Sequence, residues 1–406
     1  MQSPTPSSLK AIGSLHTARA ITDRLFAFVR PDCLYERPIP ERHRLIFYVG
    51  HLEAFDWNLL STGLGAAPFH PQFDRLFAFG IDPAPGDLPN DIPGDWPSLP
   101  AVCDYVAGIR EQIDRHWEEC PGELRQAAVE HRLMHAETLT YLLHNLPLSK
   151  LVPPPQPEHP TTGAIPEPAT VDLPGGEAVL GRRRDEGFGW DNEYEEHIVQ
   201  VPPFRIDKCK VTNGAYLDFV YAGGPPPHYW IRSKDGWKLR CLFSEIPLPL
   251  DWPVYVTQEQ AQAYADWKGR SLPTEAQWHR AALSTPDGSH LNQPWGSSPP
   301  DETYGNFDFH RWDPLPVTAH PKGNSPFGAS QMSGNGWEWT SSPFRPFPGF
   351  KPLPYYPGYS ANFFDGEHYV LKGASPVTAA PFLRRSFRNW FRPQYPYVYA
   401  TFRCVG

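Results

Sequence analysis

The chain has 406 residues, of which 40% are hydrophobic and 20% charged, a composition that suits two or three soluble domains with real cores and argues against disorder. Lys and Arg number 36 against 45 Asp and Glu, giving a net charge of −9, and no basic run forms a phosphate-tracking stripe, so neither nucleic acid nor an anionic membrane is expected as a partner. No stretch approaches the roughly 18 consecutive apolar residues of a membrane span, the first ten residues are polar and Pro/Ser-rich, and six scattered cysteines lack any CxxC pair; the expectation is a cytoplasmic protein with free thiols and no evident protein partner.

In chain order, residues 8–150 carry four helical patterns. Leu15, Ala18, Ile21, Leu25 and Phe28 recur at steps of three and four. A second stripe runs from about Arg44 to Leu64, and a third holds Val102, Val106, Ile109, Ile113 and Trp117. The fourth starts at Pro121, a residue favoured at the first helical position, and ends near Asn145. Four such helices predict a bundle. Between the second and third, Pro68 to Pro100 is rich in Pro, Asp and Gly, which predicts an extended loop, and loops of that length are usually functional.

The stretch 151–170, with seven prolines between Val152 and Pro168, predicts a semi-rigid linker and the domain boundary. Beyond it, 171–406 reads as a mixed α+β domain with short strands and much irregular structure, in keeping with 50 prolines and 14% aromatic residues overall. Thr257 with Gln260 and Thr274 with Gln277 have capping-box spacing and predict helices at 259–268 and 275–283. Asn335-Gly336 is a turn signal.

In the fourth helix Leu124, Ala128, His131, His135, Thr138 and Leu142 lie on one face, so both histidines point into the bundle. HxxxH alone is weak evidence in a chain with 16 histidines, and HRLMH lacks the glutamate of a zinc-protease motif. His51, mid-way along the second helix beside Phe55, adds a third imidazole that a bundle would bring near the other two. Three histidines with open coordination positions suit zinc or iron, and spacing does not choose between them.

The C-terminal half contains, in order, LPGGEAVLG at 173–181, GWDNE at 189–193, VTN at 211–213, LPTEAQWHRAA at 272–282, GNGWEWTSS at 334–342 and FRNW at 387–390. This series resembles the formylglycine-generating-enzyme-like domain, a relative of the C-type lectin fold, with Trp278, Trp337 and Trp339 expected as core residues. Formylglycine generation itself needs a C-terminal cysteine pair, and only Cys404 lies there. Joined to a DinB-like four-helix bundle carrying one His plus HxxxH, the domain resembles the ergothioneine-type sulfoxide synthases over essentially residues 8–406.

That resemblance implies an α+β chain and a nonheme iron(II)- and O2-dependent oxidoreductase. His51, His131 and His135 would be the Fe(II) ligands, Asn389 with Trp390 would help hold the betaine substrate hercynine, and the following Phe391 would be a further substrate-binding position. A tyrosine proton donor is implied near Tyr355, Tyr356 and Tyr359, with no catalytic residue assigned, and Met134 stands where some relatives carry a substrate-binding Gln, with a core role expected.

Two departures bear on the chalcogen donor. Sulfoxide synthases that take amino-acid thiols resemble one another in having arginines after the first ligand helix and an Asp after the Asn-Trp pair. Here residues 61–100 hold Arg75 against Asp74, Asp82, Asp87, Asp91 and Asp95, and Phe391 follows Trp390. The pattern resembles the selenoneine synthase branch, which implies a selenosugar donor and C–Se bond formation. An ergothioneine-type synthase forming a C–S bond, a thiol transferase, and a non-catalytic metal- or ligand-binding module are the other readings.

Overall fold

A computed structural model of the chain describes residues 14–80, 88–155 and 161–406. It divides into two compact units, residues 1–157 and 158–406. Residues 8–13, Asp82, Asp87, Pro157 and Pro160, which enter the expectations above, lie outside the described residues.

The first unit is helical: α1 (Leu15–Ala27), α2 (Leu45–Leu64), α3 (Pro71–Phe79), α4 (Leu99–His116) and α5 (Gly122–His144). Ser14 caps α1 by accepting from the Thr17 amide, and α2 ends on Gly65 in the left-handed conformation (φ 63°). Pro121 stands at the N-cap of α5, one place before the first helical residue. The four long helices form the bundle, with α2 packed on α4 and α5, and α1 on α5. Both α2 and α5 are buried on most sides, which explains why their apolar pattern is broad while the half-exposed α1 and α4 show clean stripes.

Among its described residues the segment 68–100 forms no long helix, but it is not simply an extended loop. Pro71 occupies the first turn of α3, His70 accepts from the Phe73 amide, and Asp74 reaches back to the His70 amide at 3.0 Å, so a nine-residue helix is capped from both directions. It packs against α2.

The second unit carries α6 (Asn213–Tyr221), α7 (Gln258–Trp267) and α8 (Glu275–Leu283) with strands β1 (Thr170–Leu173), β2 (Gly176–Leu180), β3 (His197–Val201), β4 (Phe204–Asp207), β5 (Trp230–Ser233), β6 (Gly236–Arg240), β7 (Glu245–Pro247), β8 (Gly336–Pro343), β9 (Tyr369–Ala374), β10 (Asn389–Phe391) and β11 (Ala400–Thr401). Both capping boxes form as expected, at Thr257 and Thr274. The main sheet has the order β10-β9-β8-β11, with β9 antiparallel to both β8 and β10 and β11 parallel to β8. Trp278, Trp337 and Trp339 are buried in the core.

Asn335-Gly336 does not close a hairpin. Asn335 takes the left-handed conformation (φ 64°), its side chain bonds Leu315 and Gln331, and Gly336 opens β8 directly. The dipeptide serves as a buried corner whose amide ties down a neighbouring loop.

Candidate metal centre

The helical periodicity of α5 places His131 and His135 one turn apart, and α2 brings His51 across to them. The candidate ligand atoms of the three residues all lie within 4.8 Å of one another, the one such group of three or more among the described residues. His51 Nε2 faces His135 Nε2 at 3.2 Å. Two nitrogens bound side by side to one first-row metal at about 2.0–2.1 Å lie roughly 3 Å apart, so this spacing fits a shared ion.

His51 Nδ1 lies 2.6 Å from the Phe77 carbonyl. Because a carbonyl only accepts, His51 carries its proton on Nδ1, and the Nε2 lone pair is left for a metal. Aromatic rings line the site. Phe47 stacks on His51 at 4.6 Å, Phe55 on His131 at 3.3 Å, and Tyr48 lies tilted against His135 at 5.8 Å.

Burial in this apolar sleeve pushes His51 down to about 4, and burial together with the neighbouring imidazoles holds His131 and His135 well below the ordinary histidine range. The three are therefore neutral near pH 7, the state a divalent cation requires. Stability should respond accordingly. The unfolded chain takes up protons on these histidines below about pH 6.5 while the folded chain does not, so the metal-free protein should lose stability as pH falls from about 6.5 to about 4. His51 alone accounts for on the order of 3 kcal/mol of that loss. Urea denaturation of the metal-free protein at pH 7.5 and 5 measures it, and replacing His51 by a neutral residue should flatten the slope.

Behind the ligands runs a buried ionic layer. Arg132, next to His131 and fully buried, contacts Asp56 at 2.6 Å and Glu53 at 2.8 Å. Glu53 also receives Arg110 at 2.8 Å, and Arg110 continues to Asp23. The layer thus joins α1, α2, α4 and α5. Burial pushes Asp56 up to about 6, whereas Arg132, Arg110 and Arg19 overcome the same penalty and hold Glu53 below the usual carboxylate range. The difference follows from one guanidinium bonded to Asp56 against three around Glu53. These partners are 57 to 87 positions apart in the chain, so no local pattern announces them.

The described acidic residues of the 68–100 segment, Asp74, Asp91 and Asp95, have structural partners. Asp91 is buried and bonded by Arg37, by Arg44 Nε at 2.8 Å and by Trp96 Nε1 at 2.7 Å, while Asp74 also accepts from Tyr105 Oη at 2.8 Å and Asp95 caps the Ile92 amide. The excess of Asp over Arg within residues 61–100 is therefore offset at Asp91, whose charge is met by two arginines from outside that stretch. Met134, expected in the core, is only half-buried on α5 beside His135.

In the second unit the motif residues converge beneath β10. Arg388 is buried and bonds both oxygens of Glu275, at 2.9 and 3.1 Å, as well as the Arg345 carbonyl. Its guanidinium lies 4.9 Å from the Phe344 ring, and Phe344 stacks on Trp390 at 4.3 Å and 6°. Lys372 bonds the Arg385 and Phe387 carbonyls, and Glu193 of the GWDNE motif receives Ser386 Oγ at 2.6 Å and Arg384. The motifs LPTEAQW, GWDNE and FRNW thus form one frame that fixes the half-buried Asn389, Trp390 and Phe391, with Tyr359 edge-on to Trp390 at 5.4 Å. Phe391 stacks on Tyr395 at 5.0 Å.

Residues 155–406 match the sulfatase-modifying factor enzyme 1-like domain. Hercynine oxygenase of Mycolicibacterium smegmatis is 36% identical over 419 residues, covering 93% of this chain and 94% of that protein. The chain belongs to the hercynine oxygenase family. Hercynine oxygenase of Mycobacterium tuberculosis is 40% identical over 240 residues, 54% of this chain and 56% of the relative. Ergothioneine biosynthesis protein 1 of Schizosaccharomyces pombe is 28% identical over 95% of this chain, which spans about half (54%) of that protein's length. Membership in the hercynine oxygenase family agrees with the expected α+β architecture, a helical N-terminal unit fused to a sulfatase-modifying-factor-like domain, and with the expected oxidoreductase class. Among the described residues no helix is long and apolar enough to cross a membrane.

Proposed function

We propose that the chain is a nonheme iron(II) enzyme that uses O2 to join a chalcogen to the imidazole C2 of hercynine, and that its donor is a thiol. The observation that carries the reading is the triad of neutral imidazoles, two buried and one half-buried, in a chain that aligns over 93% of its length with a hercynine oxygenase. In the sulfur reaction the substrate C2–H and the donor S–H are lost, one oxygen atom leaves as water and the other remains as the sulfoxide, so atoms and electrons balance without a further reductant.

His51, His131 and His135 would hold the iron. Bound there, Fe(II) supplies O2 reduction and a Lewis-acidic seat for the anionic donor, with no protein carboxylate to offset its charge. The chain's own contribution is to keep three imidazoles unprotonated and dry, through Phe47, Phe55 and Tyr48, and to orient them through the Phe77 carbonyl. Asn389 and Trp390 would bind hercynine, held in place by the Arg388–Phe344 stack. Aromatic faces attract quaternary ammonium groups, which suits Trp390 to a betaine.

A second reading, with a selenosugar as donor and a C–Se bond as product, is favoured by Phe391. Its ring stacks on Tyr395 at the place where relatives that bind amino-acid thiols are expected to carry an Asp. Names of the relatives support the sulfur reaction, and the internal pairing of Asp91 and Asp74 removes part of the charge argument against it. Competition decides between them: with hercynine saturating, equal amounts of γ-glutamylcysteine and a selenosugar should give mainly the sulfur adduct by mass spectrometry. Turnover confined to the selenosugar would overturn the thiol assignment.

A further inference from the structure

We infer that docking of α3 and metal binding by the triad are linked through the His51 imidazole, so that this helix of the 68–100 segment acts as a positioning element for metal affinity. The inference rests on the reading that the triad holds a divalent metal, and it concerns neither the reaction nor the donor.

His51 is a two-ended bridge. Its Nε2 lies among the candidate ligand atoms, and its Nδ1–H donates to the Phe77 carbonyl in the last turn of α3. A cation on Nε2 withdraws electron density from the ring and strengthens the Nδ1–H donor. In the other direction, an acceptor on Nδ1 fixes the tautomer and raises the basicity of Nε2. Whatever free energy passes one way passes equally the other way.

The approach that makes the bond possible is narrow. A Cβ at residue 50, on the turn of α2 beside His51, would stand 2.4 Å from the Phe77 ring, and a Cβ at Gly80, the C-cap of α3, would stand 2.4 Å from the His43 ring. Glycine at residue 50 leaves the Phe77 ring of α3 room against α2, and glycine at residue 80 leaves room for the His43 ring that precedes α2. Phe77 is fully buried between Trp96 and Tyr105, with ring centroids at 6.4 and 5.5 Å. Three side-chain bonds pin the helix from outside the metal site: Tyr105 Oη to Asp74 at 2.8 Å, Asn58 Nδ2 to the Asp74 carbonyl at 3.3 Å, and Asp74 to the His70 amide. The Tyr105 hydroxyl bonds Asp74 of α3, so removing that hydroxyl loosens α3 without altering a candidate ligand.

The experiment uses the full chain and zinc as probe, and reads no catalysis. Zinc affinity is measured by competition with a chromophoric chelator for the wild type, Gly50→Ala and Tyr105→Phe, and backbone hydrogen exchange is followed with and without zinc. Zinc should slow exchange of the α3 amides while leaving those of α6 unchanged. Gly50→Ala should weaken zinc by about 10–100-fold, the usual cost of losing an outer-shell partner, and Tyr105→Phe should weaken it in the same direction by less, with unchanged circular dichroism. Tyr105→Phe keeps the test decisive if Gly50→Ala does not fold. Zinc that binds the wild type without altering α3 exchange, or that binds Tyr105→Phe as tightly as wild type, would overturn the linkage and leave the metal centre standing. No zinc binding to the wild type would remove both.

Discussion

His131→Ala and His135→Ala should each abolish stoichiometric iron binding and reduce hercynine oxidation to background. Loss of an outer-shell partner typically costs about 10–100-fold in metal affinity or activity, and removing one of three first-contact nitrogens should exceed that range. The site has no spare ligand, because the three imidazoles are the one group of three or more candidate metal-binding residues among the described residues. Folding should survive. His135 is half-buried and its Nδ1 is buried without a hydrogen-bond partner, so truncation leaves little unpaired behind. Relief of the depressed imidazoles should even make the metal-free variant less acid-sensitive than the wild type. Iron content by mass spectrometry and product formation, measured on protein of unchanged circular dichroism, check both halves.

The largest loss of stability should come from Glu338→Ala. Glu338, on β8 within the GNGWEWTSS motif, is fully buried and takes Lys210 Nζ at 2.7 Å, Arg403 Nε at 2.7 Å and Nη2 at 2.8 Å, and the Trp278 indole at 3.2 Å. Both cations are themselves buried, and burial already presses Lys210 down to about 8. Removing the carboxylate strands two charges in the core. Breaking one buried pair costs about 3–5 kcal/mol, and a domain is stable by only about 5–15 kcal/mol, so the variant should fail to accumulate as folded protein or show a much lower denaturant midpoint. Glu338→Gln, which keeps the shape and can still accept hydrogen bonds, should lose less. Near-wild-type stability in Glu338→Ala would show that the cluster is solvated in solution.

These two predictions draw on features that were unequally visible in the sequence. The histidine pair on α5 was legible because steps of four residues return to one helix face, and His51 because α2 carries a long apolar stripe. Capping boxes at Thr257 and Thr274 were legible for a similar reason, since each is a pattern four residues long. What escaped depends on contacts between distant positions. Lys210 and Glu338 are 128 residues apart, and Arg132 and Asp56 are 76 apart, so each looks in isolation like an ordinary surface charge. The Asp residues of 61–100 were weighed against Arg75, the one basic residue of that stretch, yet Asp91 and Asp74 are buried because arginines and a tyrosine from other segments reach them. Helix α3 did carry a local sign, the His70-Pro71 start with Asp74 four residues on, but prolines on either side masked it.

The donor shows where such reading stops. Phe391 after Trp390 is a single substitution with an apolar consequence, and it speaks to one contact of a substrate, whereas the alignment with hercynine oxygenases spans nearly the whole chain.

The most direct measurement is to load the protein with one equivalent of Fe(II) without oxygen, add hercynine with γ-glutamylcysteine or a selenosugar, admit air and analyse the products by mass spectrometry. The account predicts a covalent hercynine–chalcogen adduct that needs iron, oxygen and all three histidines, formed best with the thiol. Iron bound in one equivalent with no adduct from either donor would contradict it.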